Sequence, residues 1–323
     1  MRALRALGGC AVAALLSSCD DAPATSATSS SSTGRAVACG SRSGMRGLTH
    51  RSVTVGGKER TFEVYLPEAI PPTAPIAFVS VHHGYLQSGE EMRVLTRYTE
   101  LADKEGFALV FPDGEAGPNT FGPPWNIGDD VCPSATGITP VGDGDDFGLL
   151  DAMKASVAPD QCLDEAHVFV TGFSMGGYFS HHAACLRDDV RSAAPHSGGT
   201  AHDLAACTTG HKPMIIFHGD ADPLIPAGCD DPGATNTPDG FTPSAAAWAA
   251  RNGCAATSTV IPIKNGECLL YDGCPPDGQV ELCRFKGMEH CWAGGDPNVG
   301  SDACPDYERA TELTWAFWKK YAW

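Results

Sequence analysis

One serine stands in a sequence context that could make it a nucleophile. Ser174 is the centre of a G-x-S-x-G pentapeptide that runs from Gly172 to Gly176. The apolar run 167–171 before it is typical of a buried strand, and 177–182 after it is typical of a helix. A sharp strand-to-helix turn lifts the serine oxygen clear of a sheet, and the glycines let neighbouring backbone pack closely. The pattern therefore predicts a nucleophile for acyl transfer.

A nucleophilic serine needs a histidine base and an acid that orients it, and behind an elbow of this kind the acid comes first along the chain. The apolar run 214–217 leads into an acidic loop in which Asp222 is our candidate acid. Asp220 is its competitor, since spacing hardly separates the two. Of the 11 histidines, His290 alone lies after Asp222. Chain order therefore leaves one candidate base.

The remaining requirement is a pair of backbone N–H groups for the negative charge that develops on the ester oxygen. A buried apolar strand ends in a His-His-Gly sequence, and the next N–H is that of Tyr85, with Leu86 as the alternative. We expect this N–H to join that of Met175 in an oxyanion hole. His82 and His83 precede the serine, so we expect them to shape the loop and not to transfer protons.

These residues need a scaffold in which several strand ends meet. Two alternating runs around Gly56-Gly57 predict a β-hairpin over 51–66, and apolar strands then alternate with helical stretches. Such alternation implies a mostly parallel sheet with helices on both faces, the α/β-hydrolase arrangement. The predicted strands are 76–81, 107–111, 167–171, 190–195, 214–218, 259–263 and 280–285, and the predicted helices lie near 90–105, 146–157, 175–186, 243–251 and 305–321.

Taken together, the motifs resemble a family of secreted esterases, the feruloyl esterases and polyhydroxybutyrate depolymerases of carbohydrate esterase family one. The resemblance runs from about Val53 to the C-terminus and implies a serine carboxylic-ester hydrolase with Ser174, Asp222 and His290 as its triad. Members often carry a small residue or cysteine after the His-Gly pair, where this chain has Tyr85, which puts the size of the acyl pocket in question. The matching blocks are His83-Gly84, Gln87-Ser88, Gly106-Phe107, Phe111-Pro112-Asp113-Gly114, Trp125-Asn126, Asp145-Asp146-Phe147, Cys162-Leu163-Asp164, 218–222, Asn252-Gly253-Cys254 and 287–292.

The resemblance implies hydrolysis of feruloyl- or acetyl-type esters of plant polysaccharide through an acyl-enzyme. A polyhydroxybutyrate depolymerase is the neighbouring alternative, and an acyltransferase could use the same triad. A noncatalytic lipoprotein that keeps only the fold is a further alternative, which the complete triad order disfavours. No step of this chemistry requires a cofactor, and we expect none.

Two tryptophans and three aspartates are the remaining candidates for ligand contacts. Trp125 and Trp292 could stack on an aromatic or sugar group of the substrate, with core packing as the alternative. Asp143, Asp145 and Asp146 suggest calcium, but their spacing matches no standard calcium loop. We expect Asp145 or Asp146 to cap the helix that follows and expect no metal site.

The N-terminus has the pattern of a bacterial signal peptide of the lipoprotein type. Two arginines precede a short apolar stretch that ends in Leu-Ser-Ser-Cys. We predict a signal peptide over 1–18, a lipidated Cys19, a Ser/Thr/Ala-rich tether over 19–36 and a single catalytic domain over 37–323. An ordinary secretory signal is the alternative. The apolar stretch is too short to span a bilayer, so the expected membrane contact is the lipid alone.

Cysteine number and charge fit an exported protein. Setting aside Cys10 and Cys19 leaves twelve of the 14 cysteines, an even number that suggests several disulfides. Cys291 with Cys304 would clamp the loop that carries His290. The scattered histidines and the lack of a C-x-x-C pair make zinc an unfavoured alternative.

Beyond the signal peptide, 20 basic groups face 39 acidic groups, which leaves a net charge of −19. This charge excludes nucleic acid as an expected partner and disfavours polyanionic substrates. We expect a monomer that lies outside the cytoplasm, secreted or lipid-anchored at the cell envelope, with an ester as its substrate.

Overall fold

A central sheet of ten strands organises the chain, as the alternating strands and helices predict. The computed structural model describes residues 39–115, 122–128, 141–200, 204–225 and 242–323. The strands are β1 (Gly47–Val55), β2 (Lys58–Leu66), β3 (Ile76–His82), β4 (Ala108–Pro112), β5 (Leu163–Phe173), β6 (Val190–His196), β7 (Met214–Gly219), β8 (Ser258–Ile263), β9 (Gly266–Tyr271) and β10 (Val280–Phe285), with two-residue strands β11 (Trp292–Ala293) and β12 (Ala303–Cys304) forming a separate pair.

Six α-helices connect or flank these strands among the described residues. They are α1 (Gly89–Thr96), α2 (Tyr98–Glu105), α3 (Asp146–Val157), α4 (Met175–Leu186), α5 (Thr242–Arg251) and α6 (Ala310–Tyr321). None of the helices in the described ranges combines the length and the apolar character needed to cross a bilayer.

The sheet has a parallel centre and antiparallel flanks. Its order is β1-β2-β4-β3-β5-β6-β7-β10-β9-β8. The six strands from β4 to β10 in this order pair in parallel, whereas β1 and β2 at one side and β9 and β8 at the other pair antiparallel. The carboxyl ends of β3, β5, β7 and β10 therefore meet along one edge, and the candidate residues follow these four ends.

Both faces of the sheet are covered, because the central strands bury side chains in both directions. On one face, Val79 and Val81 of β3 lie in the same apolar cluster as residues of α1, α2 and α6. On the other face, Phe78 of β3 joins residues of α3 and α4, and a third cluster packs α5 against β7, β9 and β10. The predicted α/β-hydrolase arrangement is confirmed.

The structure departs from the predicted elements most clearly at two places, while β11 and β12 are short unpredicted strands and α6 begins five residues later than predicted. The helix predicted over 90–105 is two helices, because Arg97 adopts a left-handed conformation with φ of 56° and ends α1. The strand β9 was not predicted. It follows Asn265, which also has a positive φ of 57°, in the tight turn from β8. Asn-Gly is a hairpin signal that could have revealed this strand.

Five disulfides connect the described residues, which confirms the expectation of a disulfide-bonded chain. The pairs are Cys39–Cys162, Cys185–Cys207, Cys254–Cys274, Cys268–Cys283 and Cys291–Cys304. The last pair is the one expected to clamp the loop that bears His290. Cys132 and Cys229, like Cys19 and the whole of 1–38, lie outside the described residues.

Candidate active site

Ser174 occupies a strained turn between β5 and α4. Its backbone has φ of 55° and ψ of −114°, a conformation that L-residues other than glycine rarely adopt. Strain of this kind costs about 1–3 kcal/mol and persists only where the surrounding structure enforces it. The N–H of Ser174 donates to the carbonyl of His196 at the end of β6, 2.9 Å away. The predicted nucleophile elbow is thus present in its geometry.

The glycines around Ser174 are required by close backbone contacts. A methyl group on Gly172 would lie 2.5 Å from the carbonyl carbon of Gly176, and one on Gly176 would overlap the carbonyl oxygen of His82. One on Gly177 would lie 2.7 Å from the carbonyl oxygen of His196. The elbow therefore packs its backbone directly on β3 and β6.

Asp222, and not Asp220, reaches the candidate base. An oxygen of Asp222, Oδ2, lies 2.7 Å from Nδ1 of His290, and its other oxygen accepts the backbone N–H groups of Leu224 and Ile225 at 2.9 and 3.0 Å. The half-buried Asp220 instead accepts the N–H of Gly287 at 2.5 Å, which ties its loop to the end of β10.

The Asp222 side chain is completely buried and still favours its charged form. Burial by itself would raise the pKa of this carboxyl, but hydrogen bonds and charge from His218 and His290 outweigh burial and hold the pKa well below its usual range. The carboxylate is therefore available to stabilise a positive charge on the neighbouring imidazole.

His290 lies on the loop between β10 and β11, with 12% of its side chain exposed. Because Nδ1 is engaged by Asp222, Nε2 is the nitrogen left for proton exchange with a nucleophile. The ring packs against Phe173, the residue before Ser174, with 4.8 Å between ring centroids. The disulfide Cys291–Cys304 begins at the next residue, and it holds the loop against β12.

The candidate oxyanion loop follows β3 and packs against Ser174. Gly84 approaches so closely that a methyl group on it would lie 3.2 Å from the Cβ of Ser174. The turn closes with a hydrogen bond from the N–H of Gln87 to the carbonyl of Gly84, 3.2 Å long, and Leu86 in this turn has φ of 70°. Met175 begins α4, where N–H groups lack intrahelical acceptors.

The two histidines before this loop have structural contacts only. Nδ1 of His83 lies 2.7 Å from the carbonyl of Gly84, and its Nε2 accepts the N–H of Gly114 at 2.9 Å. This pattern requires a neutral ring with the proton on Nδ1. Burial lowers the pKa of His83, and it lowers that of His82 to about 3. Both rings remain neutral and support the loop, as expected.

Gln87 connects the candidate oxyanion loop to the segment before β12, a contact that the sequence analysis did not find. Its Oε1 accepts the N–H of Gly84 and its Nε2 donates to Asp302, both at 2.7 Å. Asp302 lies beside β12, which carries one cysteine of the clamp. No signal in the sequence links two residues so far apart, because the contact exists only after folding.

The prediction that Trp125 and Trp292 bind substrate needs correction. Both indoles are completely buried. Trp125 donates its N–H to the carbonyl of His83 at 2.8 Å, and Trp292 stacks on His196 with 4.6 Å between ring centroids. Both side chains therefore pack in the protein interior and are not exposed for contact with a substrate. Tyr85 is half-buried, and its hydroxyl accepts the N–H of Gly122 at 3.1 Å.

Two of the three aspartates considered for calcium are engaged in other contacts. Asp145 caps α3 by accepting the N–H of Gly148, as expected, and the buried Asp146 pairs with Arg60 at 2.7 Å. In the described part of the chain, the one cluster with metal-ligand spacing contains Cys268, Glu281 and Cys283. The two cysteines are joined as a disulfide, so neither sulfur is a free thiolate.

Comparison with known proteins finds similarity to feruloyl esterases, the proteins that the motifs resemble. Residues 146–233 match the dienelactone hydrolase family, and this range contains both Ser174 and Asp222. The chain is 28% identical to feruloyl esterase B of Piromyces equi over 233 residues, which cover 68% of this chain and 40% of that protein. It is 36% identical to a probable feruloyl esterase C of Aspergillus oryzae over 180 residues, covering 54% and 57%.

Solved structures give the fold. An acetyl xylan esterase from Aspergillus awamori superposes with a TM-score of 0.55 at 18% identity, covering 75% of this chain and 94% of that one. A thermophilic esterase from Thermogutta terrifontis gives 0.54 at 16% identity, covering 84% and 94%. This chain spans about half the length of the two curated relatives. It has the α/β-hydrolase fold and is similar in sequence to feruloyl esterases, as the motifs indicated.

Proposed function

We propose that this protein is a serine esterase that hydrolyses feruloyl- or acetyl-type esters of plant polysaccharide through an acyl-enzyme. The observation that carries the proposal is the 2.7 Å contact between Asp222 and His290 at the sheet edge that also bears the strained Ser174. The similarity to feruloyl esterases supports the substrate class.

The first half of the reaction acylates the serine. Nε2 of His290 accepts the proton of the Ser174 hydroxyl as its oxygen attacks the ester carbonyl carbon. Asp222 holds the imidazole in the required tautomer and stabilises its protonated form. The oxyanion accepts hydrogen bonds from the N–H groups of Tyr85 and Met175, and each such donor contributes about 2.7–4 kcal/mol to transition-state stabilisation. Collapse of the intermediate breaks the ester bond, and His290 protonates the leaving alcohol.

The second half releases the acid. Water gives a proton to His290 and attacks the acyl-serine, the carbonyl charge returns to the oxyanion hole, and Ser174 leaves with the proton from the imidazole. An acyltransferase would use the same acyl-enzyme with an alcohol in place of this water. Product analysis with an added alcohol acceptor separates the two reactions.

The test is hydrolysis by the protein without residues 1–18 of methyl ferulate, p-nitrophenyl acetate, acetylated xylan and a hydroxybutyrate oligomer. We expect turnover of the first three substrates and complete loss in Ser174→Ala. Ser180→Ala is the matched control, because Ser180 is a buried serine of α4 whose hydroxyl bonds the carbonyl of Gly176. Preference for the hydroxybutyrate oligomer would replace the proposal by a polyester depolymerase.

A fluorophosphonate ester gives a second readout that does not depend on the natural substrate. An activated serine displaces fluoride and keeps the phosphonyl group, so the peptide that contains Ser174 gains its mass. Failure of this labelling in a folded protein would contradict the nucleophile itself.

We also propose that the protein works outside the cytoplasm, with Cys19 as its lipid attachment site. The five disulfides support an oxidising compartment. Expression of the full chain with radiolabelled palmitate should label the wild type and leave Cys19→Ser unlabelled. Equal labelling of both would contradict the anchor.

A further inference from the structure

A second histidine contacts the carboxylate of the candidate acid. His218 is in β7, and its Nε2 lies 3.3 Å from Oδ2 of Asp222, the same oxygen that His290 contacts at 2.7 Å. The His218 side chain is 6% exposed. In a catalytic triad of serine, histidine and acid, one imidazole hydrogen-bonds to the acid. The contact of a second imidazole with Asp222 therefore needs its own explanation.

The contacts of Asp222 account for the full acceptor capacity of a carboxylate. Two oxygens offer about four lone-pair sites in all. Oδ1 uses two for the N–H groups of Leu224 and Ile225, and Oδ2 faces the two imidazoles. Two backbone N–H groups and Nδ1 of His290 bond the carboxylate, and Nε2 of His218 lies within 3.3 Å of the oxygen that His290 contacts.

The surroundings of His218 contain other imidazoles and one carboxylate. Burial, and next to it the charge of His218, lower the pKa of His181 on α4 to about 3 and that of His196 on β6 to well below its usual range. His181 accepts the indole N–H of Trp248 on α5 at 3.0 Å. His181 and His196 thus lie close enough to His218 for its charge to affect them, and Asp222 contacts it directly.

We propose that His218 is a positioning residue that donates its Nε2–H to Oδ2 of Asp222. This inference rests on the proposed esterase function. The donor keeps the carboxylate from rotating away from His290. It also draws negative charge from the oxygen that both rings share, and so limits how strongly Asp222 stabilises the protonated form of His290. A base that binds its proton too firmly would be protonated, and inactive, at a higher pH.

The test compares His218→Met, which removes the donor and keeps the bulk, with His218→Gln, whose amide can donate from nearly the same position. We expect His218→Met to lower kcat roughly 10- to 100-fold with KM little changed, as for other groups that orient a catalytic ligand. In the pH profile of kcat/KM, the acid limb of this variant should shift to higher pH by about half a pH unit or more. His218→Gln should restore both quantities in large part.

His181→Met is the matched control, because it removes a buried imidazole that faces His218 without touching Asp222. We expect it to lower the melting temperature and to leave the acid limb in place. An equal shift of the acid limb in both Met variants, or no shift in His218→Met, would overturn the proposal, since either result would make His218 an ordinary packing residue.

Proton NMR makes the result independent of the substrate. The proton between Nδ1 of His290 and Asp222 should give a resonance far downfield. The midpoint pH at which this resonance changes should be higher in His218→Met than in the wild type. If the wild type shows this resonance but hydrolyses none of the esters, the proposed function fails while the positioning role is still tested. A midpoint identical in wild type and variant would contradict the role even in an active esterase.

Discussion

The two halves of the candidate site are held by different forces. In the nucleophile half, Gly172 and Gly176 bring backbone against backbone around Ser174. In the acid and histidine half, Asp222 and its partners meet through side-chain hydrogen bonds, and a disulfide clamps the loop. A side chain added between packed main-chain atoms has no space, because the backbone cannot move aside. A hydrogen-bond network can instead lose one bond while the other bonds remain. We therefore expect all-or-none responses in the first half and graded responses in the second.

The largest effect is expected from Gly176→Ala in the nucleophile half. The added methyl would overlap the carbonyl oxygen of His82 and lie 2.8 Å from that of His83. Neither can move without displacing the end of β3, so we expect activity below detection together with a lower melting temperature. Gly210→Ala is the control, since the space around that exposed glycine is open. An active Gly176→Ala protein would show that the backbone contact is not required.

The second effect compares two carboxylates two residues apart. Asp222→Asn keeps the shape but removes the charge and reverses the tautomer preference of His290, so we expect kcat to fall about 10³- to 10⁴-fold. Asp220→Asn keeps an acceptor for Gly287 and should change kcat less than about 5-fold, the factor that corresponds to the roughly 1 kcal/mol contributed by a single hydrogen bond. Steady-state kinetics with p-nitrophenyl acetate measures kcat of the two variants. The reverse ranking would move the acid role to Asp220.

The third effect separates stability from catalysis. Replacing both Cys291 and Cys304 by serine should cost about 3 kcal/mol in the free energy of unfolding, since a loop of this size is opened. Activity per folded molecule should also fall, because the loop that holds His290 is freed.

The matched control replaces both Cys254 and Cys274 by serine. Their disulfide closes a loop of similar size away from the triad. This variant should lose similar stability and keep its activity per folded molecule. Denaturant unfolding and active-site titration by the fluorophosphonate measure the two quantities. Equal activity losses in both variants would remove the local role of the clamp.

The smallest effect concerns Glu281 on β10, the strand that leads to His290. Burial raises the pKa of this carboxyl to about 7, against a smaller lowering effect of Lys320. Between the unfolded value of about 4.3 and about 7, the folded state binds more protons, so stability falls as pH rises through this window. Glu281→Gln should therefore melt roughly 2–4 °C above the wild type at pH 8 and nearly with it at pH 4. If the difference in melting temperature did not depend on pH, the raised pKa of the Glu281 carboxyl would be contradicted.

Most of the fold could be predicted because the signals are local. Buried strands such as 76–81 and 280–285 were found from uninterrupted or alternating apolar runs, since a strand covered on both faces must be apolar throughout. The break at Arg97 was missed, because that residue carries no breaker signal and its left-handed conformation is imposed by the packing of α1 and α2. The strand β9 was missed although an Asn-Gly turn precedes it.

The residues of the candidate site also fall into those that local sequence predicts and those that only the folded structure identifies. Chain order alone reduced the base to His290, and the elbow pattern identified Ser174, because both depend on covalent sequence. Spacing could not choose between Asp220 and Asp222, and composition could not show that Trp125 and Trp292 turn inward. These choices depend on which loop atoms lie within hydrogen-bond reach after the strands have paired.

The sequence by itself determined the sheet architecture, the elbow pattern and the order of the candidate triad, since each depends on neighbouring residues or on chain order. Only the tertiary structure decided that Asp222 meets His290, that Gln87 links Gly84 to Asp302 and that His218 lies beside the same carboxylate. Such contacts join residues that are distant in sequence, and their geometry is fixed by the packing of the whole sheet edge.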